Sequence, residues 1–187
     1  SKLANNNTLL ADGATGTYLQ SRGLDPGGDP ELMNITHASI VEGMAHDYFE
    51  AGSDLVQTNS FGGNGFVQGR YDQGANVDEI NFQAASLAKS ASLNPNLQQK
   101  DRFIFGSVGP TGELIEPVGT TSAKEVYAAF KQQIIALEKG GADGIIIETM
   151  ISLDEAKIAI SAAKENTELP VAALTTFDKG PRGFFTM

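Results

Sequence analysis

The chain has 187 residues, 41% hydrophobic and 19% charged, with a net charge of −10 and no cysteine. That length supports one domain with a sizeable core, and no apolar run approaches the roughly 18 residues of a membrane helix. The acidic balance argues against nucleic-acid or anionic-membrane partners. The lack of cysteine excludes disulfides and thiolate metal sites within the chain.

Residues 1–7 are polar and read as a loose, disordered leader, with one domain over 8–187. The leader lacks the apolar core of a secretory signal, so a cytoplasmic protein is expected. The first apolar run, Thr8-Leu9-Leu10-Ala11, opens into Asp12-Gly13-Ala14-Thr15-Gly16-Thr17. The glycines let the backbone approach a ligand and expose N–H groups. A carboxylate beside free amides suits the two ends of an amino acid: Asp12 for an ammonium, the amides for a carboxylate. A structural Asp-Gly turn accounts for the same residues. The patterns of phosphate-binding loops are not present.

Apolar spacing predicts a helix over 36–51, with Thr36 as N-cap and Gly52 after the last turn. His37 and His46 fall on it nine residues apart and face nearly opposite sides, which argues against a shared metal. A second strand, 54–58, runs into Asn59-Ser60-Phe61-Gly62-Gly63. Asn59 can donate and accept toward a substrate, or simply form the turn. A helix over 77–93 precedes a third strand at 102–106. Ser107-Val108-Gly109-Pro110-Thr111-Gly112 then carries turn signals first, with a pocket floor or a partner surface as further uses.

Ser122-Ala123-Lys124-Glu125 is a capping box that starts a helix over 122–139, ending at Gly140-Gly141. The strand 144–147 delivers Glu148 directly after three isoleucines. A carboxylate there is costly to bury alone, so it meets a ligand or a structural cation. Ser152-Leu153-Asp154-Glu155 repeats the capping pattern before a helix over 152–165. A fifth strand follows at 171–174.

Strands alternating with helices imply a parallel sheet with right-handed crossovers. Ala51-Gly52-Ser53-Asp54 aligns with Gly140-Gly141-Ala142-Asp143, which places Asn59 at the height of Glu148. Any helix-to-strand junction could produce the same Gly-x-Asp pattern. Repeated units with polar residues past the strand ends point to a TIM (β/α)8-type barrel. A complete barrel needs about 250 residues and eight strands. The expectation is therefore a barrel truncated to about five strands and four helices, with an open five-stranded sheet as the alternative. No Ser-His-Asp or Cys-His set is available for covalent catalysis. The nucleophile is then the substrate, or comes from sequence outside these residues.

Taken in order, Leu9 to Thr17, Pro30-Glu31-Leu32-Met33-Asn34, Glu50 to Asp54 running on to Phe61, Gly106 to Gly112, and Gly144 to Thr149 resemble the homocysteine S-methyltransferase family. The segment from Gly109 to Pro117 is most similar to the homocysteine-binding module of bacterial cobalamin-dependent methionine synthases. The resemblance runs from residue 8 to about residue 180. It implies a zinc-dependent barrel in which homocysteine, bound as thiolate, takes a methyl group to give methionine. The donor implied is a methylated corrinoid (cobalamin) recharged by a methyltetrahydrofolate module. Zinc suits this chemistry because only the thiolate is strongly nucleophilic. Carried over, Asp12 and Glu148 hold the amino group, the amides around Gly13, Ala14 and Thr15 hold the carboxylate, and Asn59 lines the pocket. The family's zinc cysteines fall beyond Met187, so no catalytic or metal-ligating residue is expected within the chain.

Two other readings stand beside this one. One is a corrinoid-linked methyltransferase with another acceptor or donor; the other is a non-catalytic binding fragment. An incomplete barrel also exposes strand edges, so self-association is expected.

Overall fold

The computed structural model describes residues 8–97, 100–181 and 183–186. The leader expected over 1–7 lies outside the described residues. Four strands form one parallel sheet in chain order: β1 Leu55–Gln57, β2 Phe103–Val108, β3 Gly144–Met150 and β4 Val171–Thr175. The helices are α1 Thr15–Gln20, α2 Met33–Thr36, α3 Ala38–Glu50, α4 Gly65–Gly69, α5 Val77–Ser92, α6 Ala123–Gly140 and α7 Leu153–Asn166. An antiparallel hairpin, β5 Asp178–Gly180 and β6 Gly183–Phe185, follows the sheet. None of the described helices is long and apolar enough to cross a membrane.

Sequential strand order with right-handed crossovers puts every connecting helix on the same face. Helices α3, α5, α6 and α7 accordingly pack side by side. Val56 and Ile104 bury against Phe49, Ala88 and Ala91. Ile145 and Ile147 bury against Phe130, Ile134, Leu137 and Ala159. By strand alternation, Gln57, Ser107 and Glu148 point to the other face. A doubly wound sheet would carry helices on both faces; this one is wound singly, as barrel sheets are. No closed barrel forms among the described residues.

The expected first strand is a correction. Residues 8–11 occupy the lane beside β1 but make only one bridge, Ala11 to Leu55. Side chains complete that ladder: Asp54 Oδ2 accepts from the Leu10 amide at 3.0 Å, and Asp12 Oδ2 accepts from the Gln57 amide at 2.9 Å. The sheet proper therefore has four strands rather than five.

The internal repeat is real, and its role is structural. The Asp54 amide donates to Leu10 O and the Asp143 amide to Ile104 O. Each aspartate's Oδ2 accepts an amide in return, from Leu10 and from Ile104. Lys100 and Lys89 pair with Asp54 and Asp143, each at 3.0 Å. Gly52 and Gly141, at φ 113° and 101°, turn the chain into each junction.

Two caps differ from expectation. Thr36 does not cap α3. It ends α2, where its hydroxyl donates to Leu32 O at 3.1 Å, and His37 at φ −137° breaks the helix before Ala38. Ser122 and Glu125 form the reciprocal capping box on α6. On α7 only half of it forms: Ser152 Oγ accepts from the Glu155 amide, while the Glu155 carboxylate leaves the cap altogether. It accepts from the Thr111 amide at 2.7 Å and the Thr111 hydroxyl at 2.6 Å, inside the protein.

Candidate functional site

A cavity of about 400 Å³ opens at the C-terminal ends of β1, β2 and β3. Gly13, Ala14, Thr15 and Gly16 form one wall, and Pro30, Glu31, Asn59 and Phe61 form another. Ser107 and Glu148 close the sheet side. No Lys, Arg or His lines it among the described residues.

The glycine loop lines the cavity at the start of α1, which no side chain caps. Tyr48 on α3 holds this loop from behind. Its hydroxyl donates to Ala14 O at 2.8 Å, and its ring lies 3.0 Å from where a Cβ on Gly13 would sit. A residue larger than glycine at 13 would push the ring or the loop away.

Glu148 reaches the cavity from β3, where its Oε1 accepts from the Ser107 hydroxyl at 2.6 Å. No ion pair among the described residues engages it, so the structural cation weighed from sequence is not its partner. Ser107, expected in a loop, sits inside β2. Behind it lies a buried hydroxyl network: Ser60 Oγ donates to Ser107 O at 2.8 Å, and the Ser107 amide donates to Thr58 Oγ1 at 3.0 Å. Gln133 on α6 donates to Ser60 O at 2.7 Å. These contacts fix the height of the sheet rim.

Asp12 is not itself among the residues that line the cavity; its neighbour Gly13 is. Burial pushes its carboxyl up to about 6; the Gln57 amide opposes the shift and the nearby Glu148 charge adds to it. Asn59 is buried, and its amide nitrogen is committed to Pro30 O at 2.7 Å and Asn34 Oδ1 at 2.9 Å. It braces the wall with its donor, leaving no N–H for a ligand.

Sequence reasoning missed two acids. Glu31 is only 3% exposed, and its Oε1 accepts from the Gly62 amide at 2.7 Å. Burial pushes its carboxyl up to about 7; the Gly62 amide opposes this, and the neighbouring Asp29 carboxyl adds to it. A charged residue set between Pro30 and the apolar Leu32-Met33, with no partner at helical spacing, was the available signal. The histidines lie elsewhere. His37 contacts Thr36, and His46 sits on α3 with Asp47 and Glu50, their ligand atoms within 4.8 Å of one another, outside the cavity.

The sequence profile of the homocysteine S-methyltransferase family matches residues 9–185. The methionine synthase of Mycobacterium tuberculosis is 30% identical over 183 residues, covering 91% of this chain and 15% of that protein. The methionine synthase of Mycobacterium leprae is 31% identical over 164 residues, covering 83% of this chain and 13% of that protein. The chain thus spans about one seventh of the length of these relatives. Among solved structures, the oxidised homocysteine methyltransferase MmuM from Escherichia coli superposes with a TM-score of 0.78 at 22% identity. That match covers 94% of this chain and 64% of MmuM. The metallated form of the same enzyme gives a TM-score of 0.76, which supports the fold. With a family profile matching nearly its whole length, the chain belongs to the homocysteine S-methyltransferase family.

Proposed function

We propose that this chain forms the amino-acid-binding part of a methyltransferase that methylates the thiol of homocysteine to give methionine. The observation that carries the reading is the cavity wall, which sets uncapped backbone amides at Gly13–Gly16 and the Glu148 carboxylate around one space, with no cationic side chain lining it among the described residues. Amides suit a carboxylate, and acids without a protein cation suit an ammonium. The two groups of an α-amino acid meet both demands at once. In this reading Gly13, Ala14 and Thr15 hold the carboxylate and Glu148 holds the ammonium. Asp12 adds negative potential for the ammonium, and Asn59 shapes the wall. The sheet would be the first part of a (β/α)8 barrel, since its helices cover one face only. The protein would work in the cytoplasm.

The family implies zinc. The cavity offers carboxylate, hydroxyl and amide oxygens, with neither thiolate nor imidazole among its lining. Structural and catalytic zinc sites favour sulfur and nitrogen ligands, so the residues lining this cavity do not fit that ion. No catalytic step is derived through it. A corrinoid carrying the methyl group and a methyltetrahydrofolate module are the partners proposed for the whole protein, on the likeness to the methionine synthases.

Amide spectra of the chain titrated with L-homocysteine test the reading. Shifts should centre on Gly13, Thr15 and Gly16, and should be absent with a simple alkyl thiol. An equal response to both ligands, or shifts remote from this loop, would refute it. One observation favours another acceptor: the Asp12 carboxylate is already engaged by the Gln57 amide. Unchanged homocysteine affinity after alanine replacement of both Asp12 and Glu148 would favour that alternative, or a non-catalytic binding fragment.

A further inference from the structure

Phe61 is the one aromatic residue among the described residues that line the cavity, and it is 42% exposed. A single exposed phenylalanine at a turn ordinarily needs no explanation. This one is held out by its surroundings. Its carbonyl oxygen accepts from the Gly109 amide at 2.9 Å. On one side the buried Ser60 hydroxyl donates to Ser107 O at 2.8 Å; on the other the Gly62 amide donates to Glu31 Oε1 at 2.7 Å. The main chain of the turn is therefore fixed on both flanks, and the residue cannot withdraw from the cavity.

The ring is fixed as well. It lies against the buried backbone of Gly109, where a Cβ would sit 2.6 Å from Phe61 Cε2 and 2.7 Å from its Cζ. Only glycine at 109 leaves that seat open. The rest of the lining is backbone, small residues and polar side chains, several of them buried and already bonded to the protein. Phe61 supplies the large apolar surface that this space offers a ligand.

We infer that Phe61 is the specificity-determining residue of the pocket, the group that reads the side chain of a bound amino acid and favours a sulfur-bearing arm over a hydroxylated one. The inference rests on the amino-acid-binding reading and adds the third contact to it. The α-carbon of an amino acid carries three groups besides hydrogen. The Gly13–Gly16 wall takes the carboxylate and Glu148 takes the ammonium, so the side chain is left for the wall that Phe61 and Pro30 form. An aromatic ring suits a methylene arm ending in sulfur, since divalent sulfur packs favourably at about 5 Å from a ring, often at its edge. A hydroxyl in the same place would leave water for a surface that offers it no hydrogen bond.

The test compares L-homocysteine with L-homoserine, which differ only by sulfur against oxygen, as ligands of the full chain under reducing conditions. Affinities are read from amide shifts in the unsubstituted protein, Phe61→Leu and Phe61→Ala. The unsubstituted protein should prefer homocysteine by about tenfold, the effect of a difference near 1.4 kcal/mol. Phe61→Ala should bring that preference down to about twofold, and Phe61→Leu, which keeps an apolar branch without the ring, should fall between. A purely structural role would weaken both ligands by the same factor and leave their ratio unchanged; that result in either folded variant overturns the inference. Equal affinity of the unsubstituted protein for the two ligands also overturns it, while leaving the amino-acid-binding reading in place. If neither ligand binds the unsubstituted protein, both that reading and this inference fall.

Discussion

The Ser107 hydroxyl on β2 donates to Glu148 Oε1 on the adjacent strand β3 at 2.6 Å. Parallel pairing sets Ser107 level with Ile146, so the hydroxyl reaches two residues up the neighbouring strand to aim the carboxylate into the cavity. Ser107→Ala removes that aim without altering the sheet. A hydrogen bond to a charged group contributes about 1.5–3 kcal/mol, so affinity for an amino-acid ligand should fall roughly tenfold or more. Ligand titration of the variant by amide shifts checks this, and an unchanged affinity would show that Glu148 does not need the hydroxyl.

Glu125 and Glu155 occupy the same position after a serine N-cap, yet they should differ in stability by several-fold. Glu125 closes a solvent-exposed capping box, so its loss should cost little. Glu155→Ala strands the buried Thr111 amide and hydroxyl, which should cost about 2–4 kcal/mol. Urea unfolding midpoints of the two alanine variants separate the cases; equal losses would refute the distinction.

Gly63 and Gly65 make a steric contrast. A Cβ on Gly63 would lie 2.3 Å from Asn81 Oδ1 and 2.9 Å from Ser60 O, whereas one on Gly65 would meet nothing within 4 Å. Gly63→Ala should destabilise by about 2–3 kcal/mol through overpacking. Gly65→Ala, at the first position of α4, should be neutral or stabilise by about 0.4–1 kcal/mol. Thermal unfolding of both variants reads the difference.

Asp12 should leave a pH signature in stability. Its folded pKa, about 6, lies above the ordinary carboxylate range because burial disfavours the charge. The stability tied to it is therefore fully present below about pH 4 and lost as pH rises through 6. Asp12→Asn removes that dependence, so the variant should gain about 1–2 kcal/mol relative to the parent between pH 4 and pH 7.5, after allowing for solvent screening. Denaturation curves at the two pH values decide, and a parallel pH dependence in both proteins would count against it.

Self-association is expected from the apolar groups left outside the core. Leu174 on β4 is 48% exposed, and Phe184 on β6 is 72% exposed. A parallel sheet with an unpaired edge and apolar side chains beside it tends to find a partner. Light scattering should give a mass above 19.7 kDa that rises with concentration; a strictly monomeric result would rule this out.

Local pattern carried much of this protein. Apolar spacing located α5 and α6, and the Ser122–Glu125 box needed nothing beyond four consecutive residues. Ordered loop motifs identified the family because each motif is contiguous in the chain, and Gly13–Thr15, Asn59 and Glu148 do converge on one cavity. Tertiary structure decided what no window of sequence contains. Glu155 reads as a cap until Thr111, 44 residues away, claims its carboxylate. Asn59 reads as a donor for a ligand until Pro30 and Asn34 consume its amide. Thr36 reads as a cap until α2 absorbs it. Glu31 reads as one acid among many until folding buries it against Asp29 and the Gly62 amide. A polar side chain's role is set by which groups reach it after burial, and those partners are distant in the chain. Periodicity and capping act within a few residues and so can be read directly from the sequence.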